Sequence, residues 1–319
     1  MKALVTGGAG CIGSELAAEL LARGEEVAVF DNLSSGKREH VATLRDHPRF
    51  RFIEGDLLDF ARLSEAIRGQ DIVYHLAANP DVKFVPGDPT DKDLRQNTLA
   101  TYNLLEAMRV HGVKKLAFAS TSAIYGISER QPIPEDQPPR PISLYGATKQ
   151  GCESLISAFQ NLFDMQCYIF RFANIVGEKV RKIGRTVISD FIYRLGENPR
   201  RLEILGDGKQ AKSYLLSGEC VDAMLYIVDH ASARMNIYNL GCDDSLSVDR
   251  IAQMVVEALG LKDVEYAYTG GDAGWPGDVP RFRLDVTALR RFGWQARHNS
   301  EQAVARAIQA ILNTTPCRP

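Results

Sequence analysis

Two groups of residues in this chain of 319 could do chemistry, and the first is Tyr145-Gly146-Ala147-Thr148-Lys149. On a helix, this spacing brings the phenol of Tyr145 and the ammonium group of Lys149 to one face. A phenol ordinarily has a pKa of about 10, so a phenolate base at neutral pH needs a positive charge beside it. We therefore predict that Tyr145 is a catalytic base and that Lys149 lowers its pKa. Because a Tyr and a Lys at this spacing are also common on exposed helices, the second group decides between the two interpretations.

The second group is the glycine-rich run Gly7-Gly8-Ala9-Gly10-Cys11-Ile12-Gly13, which directly follows an apolar run over residues 2–6. Glycine lets a strand turn sharply into a helix, lets backbone N–H groups approach a pyrophosphate, and lets the helix pack closely on the strand. A G-x-x-G-x-x-G spacing alone is weak, but its place between a predicted strand and a predicted helix is what dinucleotide binding requires. We predict that a nicotinamide dinucleotide contacts Gly7, Gly10, Cys11, Ile12 and Gly13.

A polar run, Asp31-Asn32-Leu33-Ser34-Ser35-Gly36, stands at the end of the second predicted strand. The carboxylate of Asp31 can accept hydrogen bonds from an adenosine ribose and would repel a 2′-phosphate, so the predicted cofactor is NAD rather than NADP. The alternative is that Asp31 only caps a turn. With two residues that follow the third predicted strand, the set predicted to bind the adenosine half is Asp31, Asn32, Ser34, Ser35, Gly36, Asp56 and Leu57.

Short apolar runs alternate with amphipathic stretches in the first half of the chain, which predicts βαβ units and a parallel sheet. The predicted strands cover residues 2–6, 26–30, 51–54, 71–76, 114–120, 166–172 and 237–240. The predicted helices cover residues 12–23, 61–68, 94–111, 144–162, 248–259 and 302–312. The proline-rich segment 132–141 is predicted to be a surface loop that delivers Tyr145 at the start of a helix.

The regular alternation ends after Arg171, where glycines and the turn Gly206-Asp207-Gly208 become frequent. This change predicts a smaller α/β portion that determines substrate specificity. The predicted fold class is therefore α/β, a doubly wound parallel sheet of the Rossmann type with a smaller α/β substrate-binding domain. We assign residues 1–172 and about 217–240 to the dinucleotide-binding domain, and about 173–216 and 241–319 to the substrate-binding domain.

The composition argues against several classes of partner. The 38 basic and 40 acidic residues give a net charge of −2, so we expect neither nucleic acid nor an anionic membrane as a partner. No apolar run reaches the ~18 residues of a membrane span, and the glycine run begins too early to leave room for a signal peptide. The cysteines show no C-x-x-C pair and the histidines no H-x-x-x-H spacing, so we expect no metal and reduced thiols. A soluble cytoplasmic protein is predicted.

The chain resembles the extended short-chain dehydrogenases/reductases, in the branch of the nucleotide-sugar epimerases and dehydratases, and most of all the UDP-hexose 4-epimerases. The resemblance runs nearly from end to end and follows the family's order of motifs. The residues that carry it, besides the glycine, Asp31 and Tyr145 motifs, are Gly55-Asp56-Leu57, His75-Leu76-Ala77-Ala78-Asn79, Ser120-Thr121-Ser122-Ala123-Ile124-Tyr125-Gly126, Arg171-Phe172-Ala173-Asn174, Gly206-Asp207-Gly208-Lys209-Gln210 and Gly277-Asp278-Val279.

This resemblance implies further site residues. Thr121 matches the hydroxyl that bonds the reacting sugar oxygen beside the catalytic Tyr145, so the implied catalytic set is Tyr145, Lys149 and Thr121. Lys212 stands where the family has an arginine on the diphosphate, and Asp278 where it has an acidic residue near the ribose. The further implied cofactor contacts are Leu76, Ala77, Ala78, Asn97 (a structural residue near the cofactor), Ser120, Tyr145 and Lys149. The implied substrate contacts are Lys83, Thr121, Ser122, Tyr145, Asn174, Arg185, Lys212 and Asp278.

The implied reaction starts with oxidation at C4 of a UDP-hexose by NAD, while Tyr145 takes the proton of the 4-hydroxyl. An epimerase returns the hydride to the other face of the 4-keto sugar, whereas a dehydratase first removes the C5 proton and expels water. The 4,6-dehydratases place an Asp and a Glu directly after the threonine, where this chain has Ser122 and Ala123, so a 4-epimerase is favoured. A 4,6- or 5,6-eliminating dehydratase that uses Asp81, Lys83 or Cys152 remains the alternative, and a non-catalytic NAD sensor is a remote one.

The resemblance also implies a homodimer. Family members often pair through the two helices that correspond to residues 94–111 and 144–162, which together form a four-helix interface. The apolar candidates for that interface are Leu99, Tyr102, Leu105, Leu155 and Phe159.

Overall fold

The computed structural model describes residues 1–83, 87–177 and 186–314. The strands in these ranges are β1 (Lys2–Thr6), β2 (Glu26–Asp31), β3 (Phe50–Glu54), β4 (Ile72–His75), β5 (Lys115–Thr121), β6 (Gln166–Phe172), β7 (Asn174–Val176), β8 (Arg201–Ile204), β9 (Ala211–Lys212), β10 (Tyr214–Leu216), β11 (Met235–Leu240), β12 (Leu246–Ser247), β13 (Glu265–Tyr268) and β14 (Arg281–Phe282). The α-helices are α1 (Cys11–Ala22), α2 (Phe60–Ile67), α3 (Ala100–His111), α4 (Leu144–Phe163), α5 (Val187–Glu197), α6 (Ser217–His230), α7 (Val248–Ala258), α8 (Thr287–Phe292) and α9 (Ser300–Thr314).

One seven-stranded sheet organises the larger part of the molecule, in the order β11-β6-β5-β4-β1-β2-β3. Every pair in it is parallel. The chain moves outward from β1 to β3 and then returns to β4 on the other side of β1, so the strand order switches direction between β1 and β4. Open parallel sheets bind ligands outside the carboxyl ends of their strands at such a switch point. The prediction of a doubly wound parallel sheet is confirmed.

The sheet is buried on both faces because successive side chains along each strand point to opposite sides. On β1, Val5 packs into a core with Leu16 of α1 and Met224 of α6. Leu4 packs on the other face into a core with Leu63 of α2 and Leu104 of α3. The strands therefore read as nearly continuous apolar runs, which is why their bounds differ from the predicted ones by no more than two residues.

Among the described residues, the smaller part of the molecule contains short strands and amphipathic helices that include α5, α7 and α9. Strands β7 and β10 form one parallel pair, β8 and β13 another, and β12, β9 and β14 a three-stranded sheet. Its core includes Phe191 of α5, Val255 of α7 and Ile308 of α9. A smaller α/β portion was predicted, but its two- to four-residue strands carry too few residues for a detectable period. The exact domain limits stay a prediction, although the strands of the large sheet all lie within 1–172 and 217–240.

One local feature differs from the prediction and a second one agrees with it. The helix expected over residues 94–111 begins with a π-helical segment, Leu94–Leu99, before α3. The proline-rich segment 132–141 is a loop, as predicted, with a single β-bridge from Ile133 to Leu284. In the part of the chain that the structure describes, no helix combines the length and apolar character that crossing a membrane requires. The cytoplasmic location stays a prediction.

Candidate active site

A cleft of about 190 Å³, partly open to solvent, runs along the carboxyl edge of the large sheet. It spans the switch point between β1 and β4, where the topology leads us to expect a ligand. The predicted residues that line it are Gly7, Gly10, Cys11, Ile12, Gly13, Asp31, Asn32, Ser34, Ser35, Gly36, Asp56, Leu57, Leu76, Ala77, Ala78, Ser120, Tyr145 and Lys149. Residues from both distant sequence groups therefore face one space.

The glycine run forms a cradle that side chains would fill. Gly7 has a φ of +69°, and a Cβ placed on it would lie 2.7 Å from the backbone nitrogen of Ala77. A Cβ on Gly13 would collide with the carbonyl oxygen of Gly7, so the start of α1 lies directly on the turn. Gly10 is the N-cap of α1, and the first backbone N–H groups of that helix have no intrahelical acceptor. This arrangement fits a pyrophosphate, which such groups bind.

Asp31 is held at the end of β2 by backbone donors. Its Oδ2 accepts from the N–H of Ala9 at 2.9 Å, and its Oδ1 accepts from the N–H of Leu33 at 2.8 Å. Burial raises the pKa of the Asp31 carboxyl, and these two backbone hydrogen bonds lower it. Because each carboxylate oxygen can accept a second hydrogen bond, the oriented carboxylate can still bind the two hydroxyls of a ribose.

The end of the cleft beside Asp31 is shaped by paired side chains. Asn32 Nδ2 donates to Asp56 Oδ2 at 2.8 Å, and Asp56 Oδ1 accepts from the N–H of Leu58 at 2.9 Å. The N–H of Ser34 donates to Asn32 Oδ1 at 3.0 Å. These side chains fix the wall of the cleft with one another before a ligand arrives.

Asn97 does not line the cleft and acts on its neighbours instead. It is 2% exposed, and its Oδ1 accepts from the N–H of Asn79 at 2.9 Å. Its Nδ2 donates to Thr148 Oγ1 on α4 at 3.0 Å. Asn97 therefore braces the loop after β4 against the helix that carries Tyr145.

Sequence reasoning missed several residues that line the cleft. His40 lies against the glycine run, with its Nδ1 2.9 Å from the carbonyl oxygen of Ala9, and Gln96 comes from the π-helical segment. Neither belongs to a motif, and only the tertiary fold brings them to the site. A π-helical segment is often found at a functional site, but it leaves no simple sequence signal. The lining residues missed are Phe30, His40, Gly55, Pro80, Gln96, Ala119 and Phe172.

Tyr145 lies in the first turn of α4, where it is half-buried at the cleft. Ser143 is the N-cap, and its hydroxyl accepts from the N–H of Gly146 at 3.1 Å. A Cβ on Gly146 would lie 2.6 Å from the carbonyl oxygen of Ala123, so the helix begins in direct contact with the segment after Thr121. The start of α4 therefore lies directly against the segment that follows Thr121, while Thr121 itself is not among the described residues that line the cleft.

Lys149 is 3% exposed and lies one helical turn beyond Tyr145. Its Nζ donates to the carbonyl oxygen of Ala119 at 2.8 Å and lies 4.7 Å from the centre of the Phe118 ring. Burial lowers the pKa of Lys149 to about 8, while Cys152 and Glu153 raise it. The site therefore holds an ammonium group of low pKa with one fixed acceptor, which suits a role in stabilising a nearby phenolate.

Thr121 is the last residue of β5 and the N-cap of a short 3₁₀ helix over Ser122–Tyr125. Its Oγ1 accepts from the N–H of Ala123 at 3.1 Å. A hydroxyl can accept and donate at the same time, so the oriented Thr121 O–H can still donate to a sugar oxygen. Ser122 follows it and is half-buried.

The residues expected at the diphosphate and ribose are paired with each other. Lys212 Nζ lies 2.6 Å from Asp278 Oδ1 and 5.1 Å from the centre of the Trp275 ring. Asp278 Oδ2 accepts from the N–H of Gly274 at 3.1 Å. Gly277, which precedes Asp278, has a φ of +88°. A Cβ on Gly277 would lie 3.2 Å from the carbonyl oxygen of Ile142, the residue before the N-cap of α4.

The remaining substrate predictions fall in different places. Asn174 begins β7, and its side chain bonds the buried hydroxyl of Tyr214, whose pKa burial raises to about 12. Lys83 is exposed and is not among the residues that line the cleft. Arg185 lies outside the described residues. The geometry thus brings together the cofactor and catalytic predictions more completely than the substrate predictions.

His75 behaves as a core residue, as expected. Its Nδ1 lies 2.7 Å from Thr6 Oγ1 and its Nε2 lies 3.0 Å from Thr101 Oγ1. Burial, and secondarily the charge of Lys149, lower the pKa of His75 to about 3, so it is neutral. Across residues 1–83, 87–177 and 186–314, no group of His, Cys, Asp or Glu side chains could hold a metal ion.

Comparison with known proteins agrees with this geometry. The model of the NAD dependent epimerase/dehydratase family matches residues 3–241. A UDP-glucose 4-epimerase of Corynebacterium glutamicum is 34% identical and covers 98% of this chain and 96% of its own length.

Two solved structures are similar over their whole length. The UDP-glucose 4-epimerase of Thermus thermophilus, in complex with NAD, is 32% identical, with a TM-score of 0.86, over 99% of this chain and 100% of that one. The Thermotoga maritima UDP-glucose 4-epimerase with UDP-glucose is 29% identical, with a TM-score of 0.88, over 98% of this chain and 99% of that one. Because the family model matches residues 3–241 and a relative of 34% identity covers nearly the whole chain, this chain belongs to the NAD dependent epimerase/dehydratase family.

Proposed function

We propose that the protein is an NAD-dependent epimerase that inverts C4 of a UDP-hexose through a 4-keto intermediate. The observation that carries the proposal is the end of β5. There Thr121 caps the short segment against which the helix of Tyr145 and Lys149 begins, and the next two residues, Ser122 and Ala123, supply no carboxyl group. The site therefore has a base for the 4-hydroxyl but no acid and base pair in the segment where elimination would need them.

NAD fits the cleft because the residues that would hold it are already oriented. The cradle of Gly7, Gly10 and Gly13 would take the pyrophosphate, and Asp31 would accept from the adenosine ribose. When bound, NAD supplies the acceptor and then the donor of the hydride at C4 of the sugar.

The protein's own residues manage the proton. Tyr145, as the phenolate, accepts the proton of the 4-hydroxyl while Thr121 donates a hydrogen bond to the same oxygen. Lys149 stabilises the phenolate by its charge, and its hydrogen bond to the carbonyl oxygen of Ala119 keeps the ammonium group in place. After the 4-keto sugar has rotated to present its other face, Tyr145 returns the proton to the oxygen at C4.

The substrate diphosphate would bind near Lys212. In the structure this ammonium group is compensated by Asp278 at 2.6 Å, so a diphosphate must share it with that carboxylate. Asp278 in turn could accept from the hydroxyls of the uridine ribose. Similar solved proteins support a UDP-sugar as the substrate class, since one of them contains UDP-glucose.

The alternative, a dehydratase, needs an acid and a base from elsewhere. Cys152 is fully buried in the core, and burial raises the pKa of its thiol. Asp81 lies 3.5 Å from Lys92 Nζ, and Lys83 is exposed. A thiol in the core, a carboxylate beside a lysine and an exposed ammonium group do not form an acid and base pair for one sugar, which favours the epimerase.

Proton NMR in D₂O with NAD tests the proposal directly. The protein is given UDP-glucose and then UDP-N-acetylglucosamine, since the sequence does not fix the hexose. Inversion at C4 without deuterium uptake is the expected result. Deuterium at C5, or loss of the C6 hydroxyl with new alkene signals, would establish a dehydratase instead.

We further propose that the protein is a homodimer that pairs through α3, α4 and the segment before α3. Leu99, Tyr102 and Leu162 are 46%, 44% and 69% exposed, as an interface requires. Two other candidates serve the core instead, since Leu105 is fully buried and Phe159 is only 9% exposed. Light scattering coupled to gel filtration should give twice the chain mass, and Leu99→Glu should shift it toward the monomer. A monomer mass for the wild type would end the idea.

A further inference from the structure

A buried polar cluster lies behind the catalytic end of the cleft. Ser120 Oγ donates to Glu153 Oε1 on α4. Arg171 of β6 donates to the same carboxylate twice, from Nε at 3.2 Å and from Nη2 at 2.8 Å. Glu153 and Arg171 are only 8% and 5% exposed. Ser120 and Arg171 are direct neighbours in the register of β5 and β6, so one carboxylate spans both strands.

The cluster continues away from the cleft without a break. Arg171 Nη1 donates to the hydroxyl of Tyr125 at 2.9 Å and to the carbonyl oxygen of Glu135 at 2.7 Å. The Tyr125 hydroxyl donates to Asn239 Oδ1 on β11 at 2.7 Å. A buried ion pair seldom adds net stability over apolar packing, because two charges must lose their water. A fully bonded pair at this position therefore invites an explanation other than stability.

The explanation lies in how α4 is fastened to β5. Lys149 bonds the carbonyl oxygen of Ala119, and one turn later Glu153 bonds the hydroxyl of Ser120. The next residue of β5 is Thr121, whose hydroxyl must face Tyr145 of the same helix. Two consecutive strand residues are thus tied to two consecutive turns of the helix, immediately before the pair that must share one substrate hydroxyl.

We propose that Glu153 is a positioning residue for the reaction: through Ser120 and Arg171 it fixes Tyr145 against Thr121, and its carboxylate is the compensating negative charge for Lys149. The part of this role that concerns turnover rests on the proposed function. Glu153 is not a catalytic residue, since it is not among the described residues that line the cleft and bonds to Ser120, which is.

The charged and titratable groups around Lys149 determine the sign of the effect. Tyr145, Cys152 and Glu153 lie on the same helix, His75 faces it from β4 as a neutral ring, and Arg171 on β6 is paired with Glu153. Burial lowers the pKa of Lys149 to about 8, and Glu153 opposes that shift. Removal of the Glu153 charge leaves Arg171 uncompensated, so the ammonium group should lose its proton at lower pH.

The test compares wild type with Glu153→Gln. We expect kcat to fall about 10- to 100-fold, with KM for the UDP-sugar nearly unchanged, and the alkaline limb of the kcat profile to move to lower pH. The Cε resonance of Lys149, followed in protein labelled with ¹³C-lysine, should titrate at lower pH than in the wild type. Because this second readout needs no turnover, it tests the inference even if the wild type epimerises no UDP-sugar, which would contradict only the proposed function.

Two further variants guard against a purely structural effect. Asp164→Asn removes one charge from the C-cap of the same helix, where Asp164 pairs with Arg234 on the surface, and it should change neither readout. Glu153→Asp keeps the charge but shortens the reach to Ser120 and Arg171, so kcat should fall while Lys149 titrates as in the wild type. If Glu153→Gln is too unstable to study, this variant carries the test of positioning. Wild-type kcat in Glu153→Asp, or an unshifted Lys149 in Glu153→Gln, would overturn the proposal.

Discussion

The proposed cofactor side and the proposed substrate side of the site are organised differently. On the cofactor side, backbone groups orient the acceptors, as the N–H groups of Ala9 and Leu33 do for Asp31. On the substrate side, side chains satisfy one another, as Lys212 and Asp278 do across 2.6 Å. The first side is ready for a ligand as it stands, whereas the second must exchange a partner when a ligand arrives. Because Asp278 is buried, a substitution of Lys212 should change binding on the second side and also leave that carboxylate without its partner.

The largest expected effect lies where the two sides meet. Tyr145→Phe removes the only atom of that side chain that can move a proton, so kcat should fall about 10²- to 10⁴-fold. NAD and UDP-sugar should still bind, as isothermal titration calorimetry would show. Tyr193→Phe, on the exposed side of α5, is the matched control and should keep its activity. Near-normal turnover in Tyr145→Phe would remove the proposed base.

The cofactor side should respond next to a loss of charge. Asp31→Asn weakens the ribose acceptor and turns an amide donor toward the N–H groups of Ala9 or Leu33, which should cost about 1 to 3 kcal/mol of NAD binding. The dissociation constant for NAD should rise, and discrimination against NADP should fall because the carboxylate no longer repels the 2′-phosphate. Asp59→Asn, at the N-cap of α2, is the control, since Asn caps a helix as well as Asp. Unchanged NAD affinity would mean that Asp31 serves only the turn.

The substrate side should respond more weakly and more selectively. Lys212→Met keeps the length of the side chain and its packing on Trp275 but removes the charge, and we expect KM for the UDP-sugar to rise about 10-fold. NAD affinity should stay the same, which separates the two sides. Lys209→Met, in the exposed turn before β9, is the control. An equal rise of KM in Lys212→Met and Lys209→Met would show that the general positive charge of this region, and not a local contact of Lys212, acts on the substrate.

The smallest expected effect is the change of stability with pH that the buried Lys149 causes. Lys149 has a pKa near 8 in the folded protein against 10.5 for an ordinary lysine, so the unfolded chain binds more protons between these values. Stability then rises with pH in that window as the buried ammonium group is neutralised, by about 1 to 2 kcal/mol. Urea unfolding from pH 8 to 10 should show this gain in the wild type relative to Lys149→Met. Parallel curves for the two proteins would contradict the lowered pKa.

The sequence predicted the cofactor side well because its signals are local. The glycine run, Asp31 and the strand ends depend on neighbours within a few residues, and the alternation of apolar runs indicates where each strand stops. His40 and Gln96 line the same cleft, but the tertiary fold places them there, so no sequence pattern identified them. Asn97 was found by resemblance, but its task as a brace between Asn79 and Thr148 depends on contacts 18 and 51 residues away.

The substrate side and the buried cluster were harder to predict for the same reason. Lys212 and Asp278 are 66 residues apart, and nothing near either residue indicates that they neutralise each other. Glu153 reads as an ordinary polar residue of an amphipathic helix, yet it is paired with Arg171 in the core. The short strands β9, β12 and β14 have too few residues to show an alternating pattern. The small sheet that contains Lys212 was therefore not predicted either.

Gly277 limits how this enzyme can be changed. Its missing side chain lets the loop with Trp275 and Asp278 lie against Ile142, next to the cap of the catalytic helix. Mutations that reshape that loop for a different nucleotide therefore also move the support of Tyr145. Choice of substrate and speed of reaction are not independent variables in this architecture, and variants selected for a new sugar donor should need a compensating change at the start of α4.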